Sequence, residues 1–101
     1  MRLIDKINDR SAKVGVIGLG YVGLPLAIEF VNAGYEVVGI DTDEDKVTNL
    51  NLGINYIKDV DDDLLKNSVE NKRLTATTDF SIVNNLDTIS ICVPTPLNKE
   101  K

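Results

Sequence analysis

The sequence predicts an α/β fold, a parallel sheet of about four strands with helices on both faces. Three observations predict it. Short runs rich in β-branched residues recur at 14–17, 36–41, 74–78 and 88–93. Segments with helical patterning separate most of them, so successive strands are joined by right-handed crossovers and run parallel. A glycine cluster, Gly18-x-Gly20-x-x-Gly23, stands directly between the first run and the first helical segment.

Leu3, Ile4 and Ile7 fall at helical spacing, so residues 1–12 are expected as a short lead-in helix. Val14 to Ile17 reads as a strand buried on both faces. Val22 to Ala33 is nearly all apolar, with Glu29 its only charge and Pro25 in the first turn, where a missing N–H costs nothing. Gly34 then suits the positive-φ position that closes a helix. A helix so apolar must be covered on more than one side. Glu36 to Asp41 is a second strand ending on an acid. Thr42 is expected to cap the next helix, with Asp45 as its box partner and Gly53 closing it. Residues 54–60 show no period. Asp61, Asp62 and Asp63 precede an apolar stripe and suit a helix N-terminus. Leu74 to Thr78 is the third strand, Asp79 to Leu86 a weak helix, and Thr88 to Val93 the fourth strand. Pro94 and Pro96 stop it.

Composition narrows the function. With 101 residues, 43% hydrophobic and 27% charged, the chain is sized for one small globular domain. Its net charge of −5 repels nucleic acid, although a local nest of N–H groups can still hold a phosphate. One cysteine and no histidine leave no internal disulfide, no histidine triad and no histidine-ligated zinc. No run is long and apolar enough to span a membrane, and charges on both sides of the first apolar residues do not make a signal peptide. A cytoplasmic protein is expected.

The chemistry is concentrated around the glycine cluster. Alone it is a weak signal, but a buried strand before it and a helix after it make it a dinucleotide fingerprint. Gly18 permits the tight turn, Gly20 lets a pyrophosphate approach the backbone, and Gly23 lets helix and strand pack closely. The N–H groups of Tyr21 and Val22 are expected to face the phosphates. Asp41 ends the second strand about 20 residues on, where a carboxylate accepts hydrogen bonds from the adenosine ribose and repels a 2′-phosphate. NAD is therefore expected over NADP. Lys46, one turn into the next helix, can flank the same ribose. Thr95 follows the fourth strand at the sheet end where such folds hold their ligands, though a plain proline-stiffened loop explains it equally well. Cys92, between Ile91 and Val93, is expected as a small core hydrophobe inside a buried strand. The acidic run at 59–63 lacks a glycine-centred calcium loop and reads as a solvated helix start.

These residues carry a family resemblance. Val14-Gly-Val-Ile-Gly-Leu-Gly-Tyr-Val-Gly-Leu-Pro-Leu-Ala27 resembles the opening of the UDP-glucose/GDP-mannose dehydrogenase family. Gly39-Ile-Asp41 with Lys46-Val47, and Ile91-Cys-Val-Pro-Thr-Pro-Leu97, are similar to its second and fourth strand regions. The latter looks most like the branch acting on UDP-N-acetylhexosamines. The resemblance implies a Rossmann domain binding NAD, with contacts at Tyr21, Val22, Asp41, Lys46 and Thr95. It also implies a parent enzyme that oxidises a sugar C6 alcohol to a carboxylate with two NAD, through a cysteine nucleophile assisted by a lysine. No position here corresponds to that cysteine, so no catalytic residue is carried over. The expectation is a partial Rossmann domain over 13–101, catalytically silent by itself and prone to self-association at an open edge. UDP-sugar would be a partner only of the whole enzyme, a homo-oligomer. Two other readings compete. One is a stand-alone NAD-binding regulatory module. The other is the start of a β-hydroxyacid dehydrogenase, against which Pro-Thr-Pro counts.

Overall fold

A computed structural model describes residues 12–58 and 60–92 of the chain. The expected lead-in helix therefore lies outside the described residues, Ala12 excepted, and so does Thr95. The elements are β1 (Lys13–Ile17), α1 (Gly23–Asn32), β2 (Glu36–Ile40), α2 (Glu44–Asn51), α3 (Asp62–Glu70), β3 (Leu74–Thr77), a 3-10 helix (Phe80–Asn85) and β4 (Thr88–Ile91). The strands form one parallel sheet in the order β3-β2-β1-β4. The direction of strand addition reverses between β1 and β4, so their C-terminal ends flank a switch point.

Register decides which side chains meet the helices. Val14 pairs with Val37 and Val37 with Leu74, while Val16 pairs with Gly39 and Gly39 with Ala76. These rows share a face because successive strand residues alternate. Their side chains join Leu24, Ala27 and Ile28 of α1, Leu50 of α2 and Leu65 of α3 in one core. Burying each of the larger ones stabilises the fold by about 1.5–3 kcal/mol. The apolar α1 is covered as its composition requires, by β1, β2 and β3 on one side and by α3 on another. The opposite sheet face carries the 3-10 helix, whose Ile82 and the following Leu86 border a shallow groove with Val38, Thr75 and Thr77.

Helix ends follow local chemistry. Gly34 and Gly53 both take positive φ, 100° and 75°, as expected of helix-closing glycines. Asp61 caps α3 by accepting from the Leu64 N–H at 2.9 Å. The cap of α2 corrects the sequence reading: it is Asp43, not Thr42. Its Oδ1 accepts from the N–H groups of Asp45 and Lys46 at 3.0 and 3.2 Å. Asp41 accepts from the Asp43 N–H, which starts the turn one residue later than Thr42 would. The weak helix after β3 is a 3-10 turn capped by Asp79. Asn51 of α2 pairs with the outer edge of β3, donating to and accepting from the Ala76 backbone at 2.9 Å each.

β4 also departs from expectation. It ends at Ile91, so Cys92 lies just past it rather than within it. Nor is the strand buried: Ile91 is 69% exposed and Ile89 39%. β4 is an edge strand, and its Ile89 and Ile91 pair with Gly15 and Ile17, on the face away from the α-helices. Cys92 itself is half-buried and packs against the core, in keeping with its reading as a small hydrophobe.

Candidate functional site

The C-terminal ends of the strands are tied together one residue beyond the ladder. Gly18 N–H donates to the Ile40 carbonyl at 2.8 Å, Cys92 N–H to Ile17 at 2.7 Å, and Asp41 N–H to Thr77 at 3.2 Å. Above this platform lies a cleft of about 820 Å³. Gly18, Gly20, Tyr21, Val22, Gly23, Asp41 and Lys46 all line it, so seven of the eight residues singled out from the sequence converge on one cavity.

The three glycines are not equivalent. Gly18 has φ of 95°, and a Cβ there would overlap the Cys92 carbonyl. A Cβ on Gly23 would fall at covalent-bond distance from the Gly18 carbonyl oxygen. The fold itself demands glycine at both positions. Gly20 differs: its φ is not positive, and among the described residues a Cβ there would meet only the Lys46 ammonium, at 4.0 Å. Among the described residues, nothing requires glycine at 20. What its missing side chain leaves is open space in the cleft, against bare backbone.

That backbone is rich in donors. Among the described residues, no hydrogen bond within the chain engages the N–H of Gly20, Tyr21, Val22 or Gly23. They are the unpaired donors of the α1 N-terminus, where the helix dipole adds partial positive charge. The Tyr21 and Val22 side chains are 85% and 61% exposed, so these residues offer the cleft their backbone. The first turn of α1 holds no acidic residue to compete for an anion. The Lys46 ammonium adds a full positive charge beside Gly20.

Asp41 does more than end a strand. Its Oδ2 accepts from the Leu19 N–H and its Oδ1 from the Asp43 N–H, each at 2.8 Å. The carboxylate thus joins the glycine turn to the α2 cap, and each oxygen keeps a lone pair for a further donor. Two contributors escaped the sequence reading. Leu19 is fully buried and fills the space above Gly39, whose Cβ would come within 2.7 Å of it. Tyr56 donates its hydroxyl to the Leu19 carbonyl at 2.8 Å. Burial, with the Asp41 and Asp43 carboxylates nearby, pushes the Tyr56 phenol well above its ordinary range, so it is a hydrogen-bond donor at neutral pH. An apolar residue between two motif glycines signals an anchor in the core. Tyr56 gives no such signal, because Asn55 shapes its aperiodic segment, accepting from Ile57 N–H and donating to the Val60 carbonyl.

A sheet of this order, with a glycine turn opening a helix at its switch point and an acid after the second strand, defines a dinucleotide-binding Rossmann domain. The chain belongs to the UDP-glucose/GDP-mannose dehydrogenase family, whose NAD binding domain matches residues 12–101. Its cofactor is NAD, and the open space at Gly20 beside unpaired donors fits the pyrophosphate of that group. Over 85 residues the chain is 41% identical to the UDP-N-acetyl-D-mannosamine dehydrogenase of Methanococcus maripaludis, covering 83% of this chain and 19% of that protein. It is 37% identical over 92 residues to the UDP-N-acetyl-D-glucosamine 6-dehydrogenase of Pseudomonas aeruginosa, covering 91% and 21%. The GDP-mannose dehydrogenase of Pseudomonas aeruginosa, solved as a ternary complex, superposes with a TM-score of 0.78 at 36% identity over 85% of this chain and 20% of that one. The chain thus spans about a fifth of the length of these relatives. Among the described residues, no helix is long and apolar enough to cross a membrane.

Proposed function

We propose that the chain is the NAD-binding, N-terminal part of a nucleotide-sugar 6-dehydrogenase acting on a UDP-sugar. A UDP-N-acetylhexosamine is the preferred substrate and UDP-glucose the alternative. The relatives named for UDP-N-acetyl-D-mannosamine and UDP-N-acetyl-D-glucosamine support this reading of the substrate. When bound, NAD supplies the hydride acceptor, and two equivalents take a C6 alcohol to a carboxylate. The observation that carries the proposal is Gly20, a glycine that no contact among the described residues requires, set in open cleft where the N–H groups of residues 20–23 have no partner among the described residues.

The residue roles follow. Gly20, Tyr21, Val22 and Gly23 donate their N–H groups to the pyrophosphate, and Gly18 shapes the turn. Lys46 neutralises phosphate or ribose-side charge. Asp41 uses its remaining lone pairs for the adenosine ribose hydroxyls, and its charge disfavours a 2′-phosphate. Thr95 completes the cofactor site from the segment after β4. Residues 13–101 form the Rossmann part, with 1–12 as a lead-in. The chemistry resides in other segments of the whole enzyme, a cytoplasmic homo-oligomer that supplies uronic acid units for polysaccharide biosynthesis. Exposed Ile89 and Ile91 on the edge strand support self-association.

Calorimetric titration of the chain with NAD, NADP and UDP-N-acetylglucosamine tests the reading, with Asp41→Ala alongside. NAD should bind more tightly than NADP, the sugar nucleotide should not bind, and Asp41→Ala should weaken NAD and narrow its lead over NADP. A folded chain that binds no dinucleotide, or that favours NADP, overturns it.

A further inference from the structure

The Leu19–Gly20 peptide lines the cleft, and Leu19 is restrained from three directions. The Leu19 side chain is fully buried over Gly39, its N–H donates to Asp41, and its carbonyl accepts from the Tyr56 hydroxyl. A trans peptide is planar, with C=O and N–H pointing in opposite directions. Fixing the Leu19 carbonyl on Tyr56 therefore fixes the Gly20 N–H, which has no partner among the described residues, facing away from Tyr56. Without that restraint the plane can rotate, because glycine tolerates a wide range of φ.

We propose that Tyr56 is a positioning residue for the cofactor's pyrophosphate: its hydroxyl sets the Leu19–Gly20 peptide plane so that the Gly20 N–H is held ready for a phosphate oxygen. The inference rests on the reading of the cleft as the NAD site and adds to it a residue 33 positions beyond the last motif glycine, in a segment without sequence period. Pre-organising a donor raises affinity by removing an ordering cost from the binding step. Tyr56 also lines the cleft, so its ring could contribute by contact; removing the hydroxyl alone separates the two roles.

The test compares the unaltered chain with Tyr56→Phe, which keeps the ring. NAD, ADP and adenosine are titrated into each, with thermal unfolding and the Gly20 amide resonance measured in parallel. Losing one backbone-directed hydrogen bond should weaken NAD and ADP by about three- to tenfold. Adenosine, which has no phosphate, should bind both proteins alike, and the Gly20 amide should shift or broaden in the variant. Equal binding of NAD to both proteins overturns the proposal while leaving the NAD site intact. An equal loss for adenosine and NAD also overturns it, since that marks general loosening of the cleft. If the unaltered chain, folded, binds neither NAD nor ADP, the reading of the cleft fails and the role of Tyr56 falls with it.

Discussion

Alanine at Gly20 and at Gly23, introduced one at a time, should separate what the cofactor requires from what the fold requires. At Gly23 the new methyl would fall at covalent-bond distance from the Gly18 carbonyl oxygen and 2.7 Å from its carbon. Both atoms are backbone, so the turn or α1 must move. Overpacking of this kind costs up to about 3 kcal/mol. Alanine returns up to about 1 kcal/mol through helix propensity, leaving a net loss of about 2 kcal/mol. For a domain of this size that lowers Tm by about 8–16 °C. At Gly20 the methyl meets nothing among the described residues closer than the Lys46 ammonium at 4.0 Å, and φ is not positive. Stability should hold or rise by up to about 1 kcal/mol through reduced unfolded-state freedom. NAD affinity should instead fall by about tenfold or more, because a methyl would occupy the approach to the N–H groups, and 1.4 kcal/mol is already tenfold. Thermal unfolding by circular dichroism and calorimetric titration with NAD check the pair. A Gly20→Ala protein that binds NAD like the unaltered chain refutes the reasoning, as does a Gly23→Ala protein with unchanged Tm.

Three further outcomes are expected. Asp41→Asn should keep one acceptor oxygen for the turn, so it should destabilise less than Asp41→Ala, by about 1 kcal/mol, while narrowing the preference for NAD over NADP; chemical denaturation and competition binding check both. Asp43→Ala removes the α2 cap and should cost about 1 kcal/mol in a urea melt with little effect on NAD affinity. The phenol of Tyr56 is raised in the folded chain, so the native state holds its proton where the unfolded chain releases it. Its contribution to stability is complete below the ordinary tyrosine range near pH 10 and declines as pH rises above it. Melts taken between neutral pH and strongly alkaline conditions should show that decline, and Tyr56→Phe should reduce it.

The first half of the site was legible because its signals are local. Strand, glycine turn, helix and acid follow one another over residues 14–41, each constrained by its neighbours in sequence, and the structure brings them together in that order. Legibility declines where a side chain takes over the backbone's work. Thr42 and Asp43 are both good caps; Asp43 prevails because Asp41, already committed to the Leu19 N–H, also takes the Asp43 N–H. Residues 54–58 have no period because Asn55 supplies the hydrogen bonds that hold the segment, and so nothing local in the sequence singles out Tyr56. β4 reads as a buried strand from Ile89, Ile91 and Cys92, yet an apolar pattern cannot state whether anything covers it. In the structure it is an edge strand, and Ile91 faces outward.

That NAD binds over the glycine turn is tested most directly by amide chemical-shift mapping of the chain during titration with NAD. The largest changes should fall on Gly20, Tyr21, Val22 and Gly23, with Asp41 and Lys46 following. Changes concentrated on the opposite sheet face around Val38 and Thr75, or none in a folded sample, would contradict it.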